Sequence, residues 1–172
     1  RVYLGADPTG PHLHLGHLTN LLVLKRLQKL GHEVIFLIGD FTGRIGDPTD
    51  RTAPRPALTP KEVKENMKTF KAQVLQIIPD VEFAYNSKWY GNMKLEKFIN
   101  KLLAAFSFQN LRERNDFRER EKAGRIIHLQ EFIYPLLQGY DGVELKADVE
   151  VGGNDQVFNM SFGRAFRAQG PQ

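Results

Sequence analysis

Val34-Ile35-Phe36-Leu37-Ile38 is an unbroken apolar run bounded by Gly31 and Gly39. It is too short for a helix and offers no polar face to water, so it reads as a strand buried on both sides, as in a parallel sheet. Parallel strands need crossover helices. The preceding segment supplies one: Leu18, Leu21, Leu22, Leu24, Leu27 and Leu30 form an apolar stripe interleaved with Lys25, Arg26, Gln28 and Lys29, and Gly31 is placed to cap its C-terminus. Thr59-Pro60-Lys61-Glu62 is a capping box with proline at the first helical position, and Val63, Met67, Phe70, Val74 and Ile77 continue the helical period. Residues 81–85 read as a strand and residues 91–125 as one or two helices. Ala147, Val149 and Val151 alternate with Asp148 and Glu150, which reads as a half-buried strand ending at Gly152-Gly153 before a last helix. The resulting order is α/β, with a parallel sheet.

The chain of 172 residues suits one domain with a full core. Its 41% hydrophobic and 26% charged residues are ordinary globular values and argue against disorder. The longest apolar runs fall far short of a bilayer span, and no signal-peptide pattern opens the chain, so neither a membrane nor a secretory protein is expected. With no cysteine, a disulfide framework, a thiolate zinc site and a cysteine nucleophile are all excluded. A net charge of +4 permits a polyanionic partner without identifying one. The mixed run at 112–125, with six basic and four acidic residues, reads as a solvated face. The chain opens directly in a strand-like run, which suggests a sequence cut from a longer one.

In open α/β sheets, ligands bind beyond the C-terminal strand ends, where loop amides and helix N-termini converge. Three polar, turn-rich segments fall there: 7–17, 39–48 and 152–156. In the first, His14 and His17 lie three apart at a helix start and share a face, next to the positive end of the helix dipole. Gly16 between them leaves room for a flat ring. Such a surface suits the charge that builds when an α-phosphate is attacked and pyrophosphate leaves. A surface histidine pair or half of a metal site is the plainer reading of His-x-x-His, although no glutamate or third ligand is nearby and no metal site is expected. Asp7 and Asp47 precede proline and also fit as turn formers. Asp155 also fits as a helix cap.

Asp7-Pro8-Thr9 followed by His14-Leu15-Gly16-His17 resembles the first signature of class I aminoacyl-tRNA synthetases, the His-Ile-Gly-His motif. Gly46-Asp47-Pro48, Gln130-Glu131-Phe132-Ile133-Tyr134-Pro135-Leu136-Leu137-Gln138-Gly139-Tyr140-Asp141 and Gly152-Gly153-Asn154-Asp155-Gln156-Val157-Phe158-Asn159 extend the likeness over essentially the whole chain. Together they resemble the bacterial tyrosyl-tRNA synthetases. The resemblance implies a Rossmann-like nucleotide-binding fold with a helical insertion at about 86–128, in a truncated catalytic domain at 1–172. It also implies a cytoplasmic ligase that uses ATP, with Mg2+ on the ATP phosphates, to join L-tyrosine to tRNA(Tyr).

Carried over residue by residue, it places Thr9, His14 and His17 at the triphosphate and the transition state, and Gly16 under adenine. Gly5, Asp7, Asn20, Gly153 and Asp155 belong to the same ATP site, the last two at the ribose. Asp47, Tyr134 and Gln138 fall at the amino group of tyrosine, Tyr3 and Asp141 at its phenol, and Gln156 at the carboxyl region. At about 100° per residue, Tyr134, Gln138 and Asp141 project within roughly 60° of one another on a helix. Without the resemblance that stripe would read as solvated. Residues 89–120, through Trp89, Phe98, Leu102, Leu103, Phe106 and Phe108, are expected to form a homodimer contact, because two short helices cannot bury so much apolar surface internally.

Two departures stand out. Leu4 occupies a position where many bacterial members carry a cysteine that contacts the ribose. The second signature, Lys-Met-Ser-Lys-Ser, is absent, and the chain stops before its expected place. Two rival readings remain. One is a tryptophanyl-tRNA synthetase, which shares the first signature but needs no acceptor at Asp141; the other is a fragment that binds ATP or tyrosine without catalysis.

Overall fold

The computed structural model describes residues 1–49, 58–112 and 115–168. Part of the Gly- and Pro-rich segment expected after Gly39, part of the 112–125 run and the chain end lie outside these residues. A four-stranded parallel sheet carries the order β3-β2-β1-β4, from β1 (Val2–Ala6), β2 (Val34–Ile38), β3 (Glu82–Tyr85) and β4 (Val149–Val151). β1 pairs on both sides, so the chain reverses its direction of travel across the sheet on either side of it. Such a switch point opens a crevice at the C-terminal strand ends.

β2 is buried along its whole length, as its unbroken apolar run requires. Helix α1 (Leu15–Lys29) crosses from β1 to β2 and presses Leu21 and Leu24 onto one sheet face with Val2, Leu4, Phe36 and Ile38. Gly31 follows its C-cap with φ of 89°, a conformation that glycine adopts without steric cost. The expected capping box forms: Thr59 and Glu62 exchange bonds at the start of α2 (Pro60–Asn66). The helix expected beyond it is interrupted by a 3-10 turn at Met67–Thr69 before α3 (Phe70–Leu75), which sends Phe70 and Val74 into the same core.

Between β3 and α8 (Leu129–Glu144) the chain forms α4 (Ser87–Tyr90), α5 (Leu95–Lys97) running into a π-helical stretch at Phe98–Leu103, α6 (Phe108–Arg112) and α7 (Asn115–Lys122). Four of the six apolar side chains expected at a dimer contact also pack within the chain, one buried and three half-buried. Leu102 is fully buried, and Trp89, Phe98 and Phe106 pack against Tyr90, Leu136, Leu137, Tyr140, Phe162 and Phe166. The missing cover comes from α8 and α9 (Val157–Ala168), which are distant in sequence. These two helices cross closely at Gly139, where a Cβ would stand 2.7 Å from the Gly163 nitrogen.

The 112–125 run is not wholly a solvated face either. Arg120 is 3% exposed and donates to Glu131 at 2.6 Å, tying α7 to the first turn of α8. Local charge patterning could not reveal this, because the partner sits on another helix. Among the described residues, no helix is long and apolar enough to cross a membrane.

Candidate active site

A cavity of about 480 Å³ opens at the C-terminal ends of β1, β2 and β4. Tyr3, Gly5, Asp7, Thr9, His14, Gly16, His17, Asn20, Asp47, Tyr134, Gln138, Asp141, Gly153, Asp155 and Gln156 all line it, so every site residue expected from the sequence meets in one place. Three crossings achieve this. β1 leads into the 7–14 loop and α1, β2 leads into the loop with Asp47, and β4 leads into Gly152–Gly153 and a 3-10 turn at Asn154–Gln156. Helix α8 closes the cavity with the predicted stripe: Tyr134 and Asp141 are buried and Gln138 is half-buried.

At the α1 end, His14 is the N-cap. Its Nδ1 accepts the Gly16 N–H at 3.1 Å, while the Nδ1 of His17 accepts the His14 N–H at 3.2 Å. The two rings lie 4.0 Å apart. Burial, and secondarily the neighbouring His14, push the His17 pKa down to about 4, so His17 is neutral at physiological pH. With each Nδ1 committed as acceptor, a neutral ring keeps its proton on Nε2. The helix start therefore offers imidazole N–H donors within a positive dipole end, which suits an anionic group.

At the opposite end, carboxylates gather. Asp141 is 4% exposed and accepts from Trp89 Nε1 at 2.9 Å and Asn86 Nδ2 at 3.2 Å. Burial raises its pKa to about 8 against the opposing effect of these donors. Tyr3 is 2% exposed; its hydroxyl makes no well-formed hydrogen bond among the described residues and interacts at most with the Glu150 carboxyl. Burial raises its pKa, with Glu150 adding to the effect. A buried hydroxyl without a well-formed bond, beside a protonated carboxyl, is a place for one further polar group.

Asp7 accepts from the Thr42 hydroxyl at 2.6 Å and the Tyr134 hydroxyl at 2.8 Å. It thereby joins β1, the turn after β2 and α8. A carboxylate so held fixes the geometry of this wall of the cavity. Asp47 both forms a turn and lines the cavity. Its Oδ1 accepts the Thr49 N–H at 3.0 Å, and its Oδ2 accepts from Gln156 Nε2 at 2.9 Å. Buried Asn159 donates to Gln138 Oε1 and to Gln156 Oε1, both at 3.0 Å. Gly153 is the N-cap of the 3-10 turn, and Asp155 within that turn accepts from Gln156 Nε2 at 2.9 Å.

Sequence reasoning missed four members of this network. Asn86 is fully buried and bridges Thr42 and Asp141; it directly follows β3, so the strand-end rule was the available signal. Thr42 opens the 3-10 turn Thr42–Arg44 that follows β2. Trp89, expected at a dimer contact, turns inward to Asp141 instead. Glu150 was read as the polar half of an alternating strand, yet the register pairs it with Tyr3 across β1 and β4 and places both on the cavity side. Its Oε1 accepts from Gln138 Nε2 at 2.9 Å, and burial raises its pKa. Val149, on the opposite face, is 48% exposed.

The comparisons agree with this geometry. The tyrosine–tRNA ligase of Nitratidesulfovibrio vulgaris is 48% identical over 171 residues, covering 98% of this chain and 43% of the relative. That of Haemophilus ducreyi is 45% identical, covering 100% of this chain and 44% of the relative. The chain thus spans less than half the length of these relatives. A C-terminally truncated mitochondrial tyrosyl-tRNA synthetase from Aspergillus nidulans superposes with a TM-score of 0.84 at 30% identity, over 94% of this chain and 51% of that one. Residues 1–169 match the family described as tRNA synthetases class I (W and Y). With the first signature on the N-terminus of α1 and the other motifs around one crevice, the chain belongs to the class I tRNA synthetases of that family.

Proposed function

We propose that the protein carrying this chain activates L-tyrosine with ATP and transfers it to tRNA(Tyr). The observation that carries this reading is a single cavity with imidazole donors at a helix N-terminus on one side and Tyr3 with Asp141 on the other. In the reaction the tyrosine carboxylate attacks the α-phosphorus of ATP, the bond to the oxygen bridging to the β-phosphorus breaks, and pyrophosphate departs; Mg2+ brought with the ATP phosphates would neutralise part of their charge. Thr9 and the Nε2–H groups of His14 and His17 stabilise the added charge on the phosphate oxygens. Gly16 leaves space for adenine, Gly153 and Asp155 hold the ribose, and Asp47, Tyr134 and Gln138 receive the ammonium group. The phenol hydroxyl fills the gap between Tyr3 and Asp141. The adenylate then passes its acyl group to the tRNA terminus, and no covalent enzyme intermediate is needed.

The gap between Tyr3 and Asp141 favours tyrosine over tryptophan, because a phenol hydroxyl can both donate and accept there whereas an indole N–H only donates. Residues 86–128 form the insertion, and the protein is a cytoplasmic homodimer. Leu95, Ile99, Leu103 and Phe108 remain 71%, 46%, 37% and 56% exposed and supply the apolar contact with a second copy. Single-turnover adenylate formation by the intact protein with tyrosine, with tryptophan and without amino acid tests the reading. Activity with tyrosine alone supports it; ATP or tyrosine binding without adenylate identifies a silent binding protein. Sedimentation as a monomer at high micromolar concentration overturns the dimer.

A further inference from the structure

The loop between β1 and α1 carries Pro8, Gly10 and Pro11, supplies Thr9, and runs directly into the N-cap His14. Its prolines donate no N–H, so the loop has few bonds to make with itself, and its carbonyls need donors from elsewhere. One helix face provides them. Asn66 Nδ2 donates to the Pro8 carbonyl at 3.0 Å, and the Thr69 hydroxyl donates to the Pro11 carbonyl. Gln73 Nε2 donates to that same carbonyl at 2.9 Å and to Thr69 Oγ1 at 2.8 Å, while its Oε1 accepts the Leu13 N–H at 2.9 Å. A single amide thus spans residues 11 and 13, immediately before the N-cap.

The spacing of 66, 69 and 73 puts these three side chains on one side of the α2–α3 segment, while Val63, Phe70 and Val74 are buried. The 3-10 turn at Met67–Thr69 falls between Asn66 and Gln73, so helix geometry changes where the loop is gripped. None of the three lines the cavity.

We propose that Gln73, with Asn66 and Thr69, is a positioning residue for the adenylation site. It holds the backbone of the 7–14 loop so that Thr9 and His14 meet the triphosphate. This rests on the adenylation reading above and extends it to a helix that touches no substrate. The clamp acts on the ATP side, because Gln138 and Asp141 sit on α8 and do not depend on it.

Gln73→Met, Gln73→Glu and Thr69→Val in the intact protein, assayed by tyrosine-dependent ATP–pyrophosphate exchange, test the proposal. Gln73→Met is expected to raise KM for ATP about tenfold while KM for tyrosine stays within about twofold. Gln73→Glu keeps the acceptor for the Leu13 N–H but sets a carboxylate oxygen against the Pro11 carbonyl, so it should raise KM for ATP as well. Thr69→Val removes one exposed hydroxyl without endangering the fold and should shift KM for ATP in the same direction by less. Unchanged ATP parameters in the folded variants overturn the clamp, as does an equal shift for both substrates accompanied by a lower Tm. A wild-type protein without tyrosine-dependent exchange overturns the functional reading, and the clamp with it; an active wild type with unaffected variants overturns the clamp alone.

Discussion

Tyr134 and Asp7 lie 127 residues apart and share a hydrogen bond of 2.8 Å, the phenol donating to the carboxylate. This bond fastens α8 to the end of β1, and Thr42 completes it from the turn after β2.

Tyr134→Phe removes one donor from a charged acceptor, a loss of ~1.5–3 kcal/mol. The expected result is a fall of roughly 10- to 100-fold in kcat/KM for tyrosine with a smaller change in KM for ATP. Gly39→Ala attacks the same carboxylate by steric means, since its Cβ would stand 1.9 Å from Asp7 Oδ1 and 2.5 Å from Thr42 Oγ1. It should cost ~1–3 kcal/mol in urea unfolding and reproduce the kinetic defect of Tyr134→Phe.

Asp141→Asn should lower kcat/KM for tyrosine by about tenfold or more and compress the preference over phenylalanine, which leaves the Tyr3–Asp141 gap unfilled. The pH dependence of stability gives a separate check. The folded pKa of about 8 lies above the ordinary 3.8, so the folded state keeps a proton that the unfolded chain releases. Stability from this group is full below about pH 4 and is lost as pH rises towards 8. The stability of the wild type relative to Asp141→Asn should therefore decline across that window in denaturant titrations. A constant difference would contradict the burial of this carboxyl.

His17 shifts the other way. Its folded pKa of about 4 lies below the ordinary 6.5, so its contribution is present above about pH 6.5 and is lost as pH falls towards 4. His17→Asn should slow adenylate formation by roughly 10- to 1,000-fold. The ratio of wild-type to variant rates should stay flat between about pH 8 and 6. A ratio that titrates near 6.5 would mean that the ring is solvated and ionises normally.

Arg120→Met leaves Glu131 buried without its cation and should cost ~3–5 kcal/mol. Adding Glu131→Leu should recover at least half of that loss in thermal unfolding, because both charges then leave the interior. A strongly destabilised double variant would show that the bond from the His128 N–H to Glu131, at 2.8 Å, matters more than the ion pair.

The apolar run of β2, the Thr59 capping box and the inner part of the α1 leucine stripe, Leu21 and Leu24, were legible in the sequence, whereas Leu22 and Leu30 of that stripe stay exposed and the shared face of Tyr134, Gln138 and Asp141 reads as solvated without the family resemblance. Each depends on neighbours within a few residues, through side-chain period or capping chemistry. The motif residues could also be named, though not their arrangement. Only the tertiary structure decided that Trp89 turns to Asp141, that Asn86 bridges Asp141 and Thr42, that Arg120 is buried against Glu131, and that Glu150 faces the cavity opposite Tyr3. These depend on strand register and on which helix covers which face. A side chain's polarity states what it needs, but the partner that meets the need is fixed by elements arriving from far along the chain, and the burial that shifts the pKa of Asp141 and His17 exists only once they have arrived.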